Sequence, residues 1–405
     1  MDPVRRSAAV VLADDLSDAV SVAAMLGSGT PIHLHRGGRA LPTQRPVVVD
    51  MQSHHLPEEV VYEVTRHCAE GLWRGDGPLL KQVDARLRGS LGAAADALLD
   101  VSTAGDRQPV VLLCPSSLDR ELVADSGVLR TQETPLVPVQ LRAMAEQAPS
   151  SSVADVLGQH QGVDCSLAQL RAGSLPELLS HSRGSVVVCD AETADDLTRI
   201  ADAVARTPQV AVLGAEALSS RVVGVIGSGR EVVSEAPLRG WRPTLVIEGS
   251  VSDMSCEQAD RWVEVSGGAV VEADAEALAE GRRAAHLEST SRIASALRAG
   301  DTLLRYAAES AEDVDRPTLV KTTAAAVAAA WRSGDADVMV IGGDVARALL
   351  DATAHSSVTV VARSATGGVV CDTGRGSFLG IVPDGCADPQ ALCGLYAELA
   401  EHVRS

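Results

Sequence analysis

Short β-branched runs alternate with Ala- and Leu-rich stretches along this chain, and that rhythm limits the fold more tightly than any single motif. The runs are Ala8–Leu12, Val47–Val49, Pro109–Leu113, Ser185–Val188, Val210–Leu213, Thr244–Ile247, Val338–Ile341 and Thr359–Val361. Strands separated by helix-length segments read as βαβ units and predict parallel sheets. Aromatic residues are only 2% of the chain, with Phe378 the single phenylalanine, so the cores must be built from Val, Leu, Ile and Ala. That composition suits parallel strands covered on both faces.

A chain of 405 residues is too long for one ordinary core. A stretch rich in Gly, Ser and Arg separates the runs at 210–213 and 244–247, including Gly227-Ser228-Gly229-Arg230 and Pro237 to Pro243. It predicts a boundary at about residue 240, and so two α/β domains, 1–240 and 241–405. Each is expected to be a mostly parallel sheet flanked by helices, with a cleft between them. Residues 273–332 carry little β signal and much Ala, Glu and Arg, so they read as helical, with Ala324–Trp331 packing on a sheet.

The formal charge is -19, from 35 Lys plus Arg against 54 Asp plus Glu, which opposes phosphate backbones and anionic lipid surfaces alike. Nucleic acid and membrane are therefore not expected as partners. An anionic substrate would need a local cluster of cations and backbone N–H groups. The eight cysteines are scattered without a Cys-x-x-Cys pair, which predicts reduced thiols rather than a zinc site or a disulfide framework. The charged start, Met1 to Arg6, is too short for a signal peptide or a membrane span, and the expected location is cytoplasmic. Assembly into a homo-oligomer is left open.

Open α/β sheets bind ligands outside the carboxyl ends of their strands, so the turns there carry the functional weight. Ala13-Asp14-Asp15-Leu16-Ser17-Asp18 places carboxylates where they can accept a hydroxyl proton or hold Mg²⁺. A helix cap alone would use one acid of that group. Lys81-Gln82-Val83-Asp84-Ala85-Arg86-Leu87-Arg88-Gly89-Ser90 puts three cations and an aspartate before an Ala-rich helix, a turn that can capture a small acid. Glu248-Gly249-Ser250-Val251-Ser252 and Gly342-Gly343-Asp344-Val345 each follow a strand and open a helix, where backbone N–H groups can cradle phosphates. No Walker A, Rossmann fingerprint or nucleophile elbow is present, and the ten histidines, His54-His55 among them, show no ligand spacing.

Taken in this order, the turns resemble the four-carbon acid sugar kinase family, over nearly the whole chain. The Ala13–Asp18 segment is similar to that family's Ala-Asp-Asp-Leu-Thr-Gly opening, and Lys81–Ser90 to its Lys-x-x-Asp-Ser-Thr-Leu-Arg-Gly-Asn motif. Weaker echoes are Asp50 with Ser53, Cys114-Pro115, Cys189-Asp190-Ala191 with Asp196-Leu197, and Gly214-Ala215. Gly249-Ser250-Val251-Ser252 with Gln258, and Gly342-Gly343-Asp344, resemble the nucleotide-side segments. The resemblance implies an ATP-dependent, Mg²⁺-requiring kinase acting on a small hydroxy acid, with the acid in the N-terminal domain and ATP in the C-terminal one. Asp14, Asp15 or Asp84 would take the hydroxyl proton; Ser17, Ser53, Lys81, Arg86, Arg88 and Gly89 would bind the acid. Gly249, Ser250, Ser252, Gly342, Gly343, Asp344 and Gly385 would hold the nucleotide.

Several positions depart from the family pattern. Ala85-Arg86 replace its Ser-Thr pair, Val345 its threonine, and the late Lys-Ser-Gly-x-Phe-Gly segment falls on Val382 to Ala387, where there is no lysine. Losing a cation that faces phosphate should cost orders of magnitude in transfer rate. Another cation such as Arg375 would have to replace it, or the chain binds ligands without transferring phosphate.

Overall fold

The computed structural model describes residues 9–38, 40–43, 45–83, 90–101, 108–118, 122–125, 128–131, 157, 162–226, 242–249, 252–307, 314–331, 336–383 and 386–404. Chain contacts divide it into two compact units: residues 1–26 with 35–230, and residues 27–34 with 231–405. The boundary expected at about residue 240 lies outside the described residues. The segment 27–34, which the sequence leaves in the first domain, groups with the second unit.

In the first unit the strands are β1 (Val10–Ala13), β3 (Val47–Asp50), β4 (Leu79–Gln82), β5 (Val110–Cys114), β8 (Val163–Cys165), β9 (Val186–Cys189) and β10 (Val210–Gly214), with β2 contributed to the second unit. They pair in the order β3-β1-β4-β10-β5-β9-β8, every pairing parallel. A separate antiparallel hairpin joins β6 (Leu122–Asp125) to β7 (Val128–Thr131). Helices α1 (Leu16–Leu26), α2 (Glu58–Leu72), α3 (Leu91–Leu99), α4 (Leu167–Arg171), α5 (Leu175–His181), α6 (Ala194–Arg206) and α7 (Glu216–Ile226) complete this unit. Val10, Leu12, Val47, Val49, Val111 and Leu113 form one core with Val61 and Cys68 of α2 and Leu91, Ala95 and Leu98 of α3. Both faces of the central strands are covered, so their burial is continuous rather than alternating, as in β1, β3, β4 and β10.

In the second unit β12 (Ala269–Ala273), β13 (Thr302–Tyr306), β11 (Thr244–Glu248), β14 (Asp337–Ile341) and β17 (Phe378–Val382) run parallel in that order. The sheet continues antiparallel through β16 (Val369–Asp372), β15 (Ser357–Arg363) and β2 (Pro31–Leu34). Its helices are α8 (Asp253–Ser266), α9 (Ala275–Ala279), α10 (Arg283–Leu297), α11 (Arg316–Trp331), α12 (Gly343–Ala352) and α13 (Ala391–Arg404). Ala324, Val327, Ala328 and Trp331 of α11 are buried, as the small-residue run predicts.

Each of the eight expected runs overlaps a strand. The helical reading of 273–332 needs correction, because β13 lies inside it. Thr302-Leu303-Leu304-Arg305-Tyr306 is a weak local β signal, but it pairs with β11 on one side and β12 on the other. Tertiary pairing overrides such weak propensity.

Candidate functional site

Two pairs of neighbouring strands have connections that leave in opposite directions, and such switch points open a crevice at the strand ends. In the first unit the pair is β1 and β4: the chain leaves β1 for β3 on one side and leaves β4 for β5 on the other. In the second unit it is β11 and β14. The described residues of the turns at Asp14, Lys81, Gly249 and Gly342 sit at these two places.

At the β1/β4 end, Lys81 pairs with Leu12 and Leu213 in the register of a central strand. The sequence placed Lys81 in a strand-to-helix turn; it is instead the third residue of β4 and only 1% exposed. A buried ammonium needs a charge partner and hydrogen-bond acceptors. Lys81 Nζ donates to Asp14 Oδ1 and to the Gln82 carbonyl at 2.8 Å. Ser53 Oγ also donates to Asp14 Oδ1, while Ser53 N reaches the Asp14 carbonyl at 2.9 Å. Asp14, Ser53 and Lys81 thus converge on one small recess, lined also by His54, Val61, Val83, Ser90, Leu91 and Ala94.

The adjacent acids divide their work. Asp15 Oδ1 accepts from Asp18 N at 2.8 Å, which is the N-cap bond of α1. Asp14 alone of the two lines the recess. Ser17 is buried in α1 and does not line it. Asp84, Arg86, Arg88 and Gly89 lie outside the described residues. His54, which its spacing gave no reason to single out, enters the recess with Nδ1 3.3 Å from the Asp14 carbonyl oxygen. The signal available in sequence was its position directly after Ser53.

Of the weaker echoes, Ser53 lies in the recess, whereas Asp196 and Cys114 are architectural. Asp196 is the acid of a capping box with Thr193 at the start of α6, and Arg171 grips it through Nε at 2.9 Å and Nη2 at 2.7 Å. The Arg171 hydrogen bonds hold its carboxyl well below the usual range despite burial, with help from Thr193 and the Glu192 amide. Cys114 is wholly buried, and burial pushes its thiol up to about 11, the behaviour of a structural cysteine.

At the β11/β14 end, Gly249 follows β11 so closely against the next turn that a Cβ there would stand 2.7 Å from the Ile341 carbonyl and 2.8 Å from Val345 Cγ2. Gly342 has φ 106°, a backbone region that glycine alone enters easily, and Gly343 begins α12. The two turns are therefore in contact. Gly342 N donates to the Val382 carbonyl at 3.0 Å, so the end of β17 borders the same place. Gln258 of α8 fastens the next stretch by donating to the Cys386 and Asp388 carbonyls at 3.1 and 2.8 Å.

Ser252 caps α8 by accepting from Ser255 N at 3.2 Å. Asp344 lies in the first turn of α12. Ser250 and Gly385 lie outside the described residues. Glu248, at the end of β11, is 5% exposed; it accepts from Arg305 Nε at 3.0 Å and from the Cys256 thiol at 3.0 Å. Burial, then this carboxylate, push the Cys256 thiol up to about 11.

Two glycine turns in mutual contact and a ten-residue helix starting there make the kind of helix N-terminus at which backbone N–H groups can meet an anion. Arg375 does not supply the missing cation. Its Nη1 and Nη2 donate to the Thr353 and Ala354 carbonyls, at the opposite, C-terminal end of α12. That is a helix-terminus role in which positive charge meets the negative end of the helix.

Known proteins point the same way. Residues 9–222 match the model of a sugar-binding N-terminal domain and residues 245–384 that of a nucleotide-binding C-terminal domain. The D-threonate kinase of Cupriavidus necator is 26% identical over 364 residues, 85% of this chain and 85% of that protein. Two solved structures share the fold at 16% identity. A Haemophilus influenzae protein has a TM-score of 0.72 over 96% of this chain and 100% of its own. A Salmonella typhimurium LT2 protein has 0.73 over 96% and 99%. With both domain models matched in order along an α/β chain, this protein belongs to the four-carbon acid sugar kinase family.

Proposed function

We propose that the protein is an ATP-dependent kinase that phosphorylates a hydroxyl of a small hydroxy acid, with the acid held in the first unit and MgATP in the second. The observation that carries this reading is the convergence of Asp14, Ser53 and buried Lys81 at the β1/β4 switch point, inside the sugar-binding match. The similar D-threonate kinase supports a sugar acid as the substrate class.

Phosphoryl transfer asks the protein to position two reactants and to meet developing charge, rather than to form covalent bonds. Asp14 or Asp84 accepts the proton of the attacking hydroxyl; Asp15 is occupied as a helix cap. Lys81 fixes the Asp14 carboxylate and stabilises its charge, while Ser53 sets its orientation. Arg86 and Arg88 hold the substrate carboxylate, and Arg86, standing where the family has a hydroxyl residue, reads a group that four-carbon sugar acids lack. MgATP supplies the phosphoryl group, and the turns at Gly249 and Gly342-Gly343 bind its phosphates.

Calorimetric titration with MgATP, followed by a screen of hydroxy acids for ADP release, tests the proposal. Millimolar binding of MgATP and turnover with at least one acid are expected. No binding at millimolar concentration ends the kinase reading. Val382-Pro383 at the late lysine segment favour a second reading, a small-acid or nucleotide-binding protein without transfer, or one using the site for another reaction. That reading predicts acid or nucleotide binding with no ADP release.

A further inference from the structure

A polyphosphate bound at the β11/β14 end only by backbone amides would lack a mobile countercharge as charge develops on the transferring group. The cations of the second unit differ in how far they are already committed. Arg305 sits on β13 in ion pairs with Glu248 and Asp260, at 3.0 and 2.8 Å. Arg347 is buried and paired with Asp351 along α12. Arg375 binds the far end of α12.

Arg316 is placed differently. It begins α11, directly after the crossover from β13, and therefore lies on the carboxyl-end side of the sheet. Its side chain is exposed, and Nη2 reaches the Gly249 carbonyl at 3.5 Å. Gly249 itself abuts Ile341 and Val345 of the neighbouring glycine turn. Three features thus meet at the β11/β14 switch point: the Gly249 turn, the N-terminus of α12, and a guanidinium. The charge of Arg316 also acts on the Tyr306 hydroxyl at the end of β13, which burial pushes up and Thr323 and Arg316 draw down.

Resting on the kinase reading, we propose that Arg316 is a phosphate-binding cation of the β11/β14 site, reaching it from the α11 side. A planar guanidinium can bond two phosphate oxygens at once, and a 3.5 Å contact to a carbonyl is weak enough to be exchanged for them. An exposed side chain at a helix start is free to make that exchange at little cost to the fold.

The full chain and its Arg316→Ala and Arg316→Lys variants are titrated with MgATP and with AMP by calorimetry. Arg316→Ala should bind MgATP about 10- to 100-fold more weakly while AMP changes little, since the loss is that of charge-assisted bonds to the outer phosphates. Arg316→Lys should recover part of the loss. Binding of MgATP by Arg316→Ala within twofold of the parent overturns the proposal, and so does an equal loss of MgATP and AMP. A thermal midpoint unchanged from the parent shows that the variants are folded, with Arg316→Gln replacing Arg316→Ala if that one is not. If the parent binds no MgATP, the kinase reading falls and this inference with it; if the parent binds and the variants match it, only this inference falls.

Discussion

The two switch-point sites are built from different materials. The β1/β4 site is a side-chain construction: Lys81 in the middle of a sheet, neutralised by Asp14, with Ser53 on the same carboxylate oxygen. The β11/β14 site is mostly backbone, two glycine turns in contact and the start of a helix. Side-chain sites depend on the identity of each residue, because a buried charge without its partner is costly. Backbone sites depend on shape, because every residue except proline carries an N–H, and they tolerate substitutions around them. Departures from the family pattern fall in both halves: Ala85-Arg86 in the Lys81 segment, Val345 and Val382-Pro383 in those of the second site, while Asp14, Lys81, Gly249, Gly342 and Gly343 keep to it.

The largest expected effect is at the first site. Lys81→Met should cost about 3 kcal/mol, because it leaves the Asp14 carboxylate beside a buried apolar group. Urea unfolding measures it, and adding Asp14→Asn should recover a good part. A cost below about 1 kcal/mol for the single change would show that the pair is not tightly coupled.

Gly249→Ala should come next. A Cβ 2.7 Å from the Ile341 carbonyl forces the two turns apart, at about 1–3 kcal/mol by analogy with overpacked cores. MgATP binding should weaken and binding of the acid should not. Equal weakening of both ligands would mean that the two sites do not divide substrate and nucleotide in this way.

The smallest effect separates neighbouring acids. Asp15→Ala removes the cap of α1 and should cost about 1 kcal/mol with acid affinity unchanged. Asp14→Asn should weaken acid binding instead, as judged by calorimetry with the acid identified in the screen. The reverse pattern would move the functional carboxylate to Asp15.

Much of this was legible in the sequence, for reasons that can be traced residue by residue. The eight β-branched runs became strands because their periodicity and bulk act locally. Lys81 was misplaced because a lysine followed by Gln82 and Asp84 has the look of a solvated turn, and nothing local shows that β1 and β10 flank it. β13 was missed because Leu303, Leu304 and Arg305 serve a helix equally well. Arg316 carries no motif; only its approach to Gly249 across 67 positions of sequence draws notice.

The sequence by itself determined the α/β class, the aliphatic cores, and which turns fall at strand ends. Those follow from short-range sterics, hydrophobic periodicity and the special backbone of glycine. Tertiary structure alone decided that Asp14 faces Lys81 while Asp15 caps a helix, that Arg375 serves the wrong end of α12, and that Arg316 reaches the Gly249 turn. These are pairings between distant residues. They exist only once strand order sets β1 beside β4 and β11 beside β14, and no local pattern encodes that order.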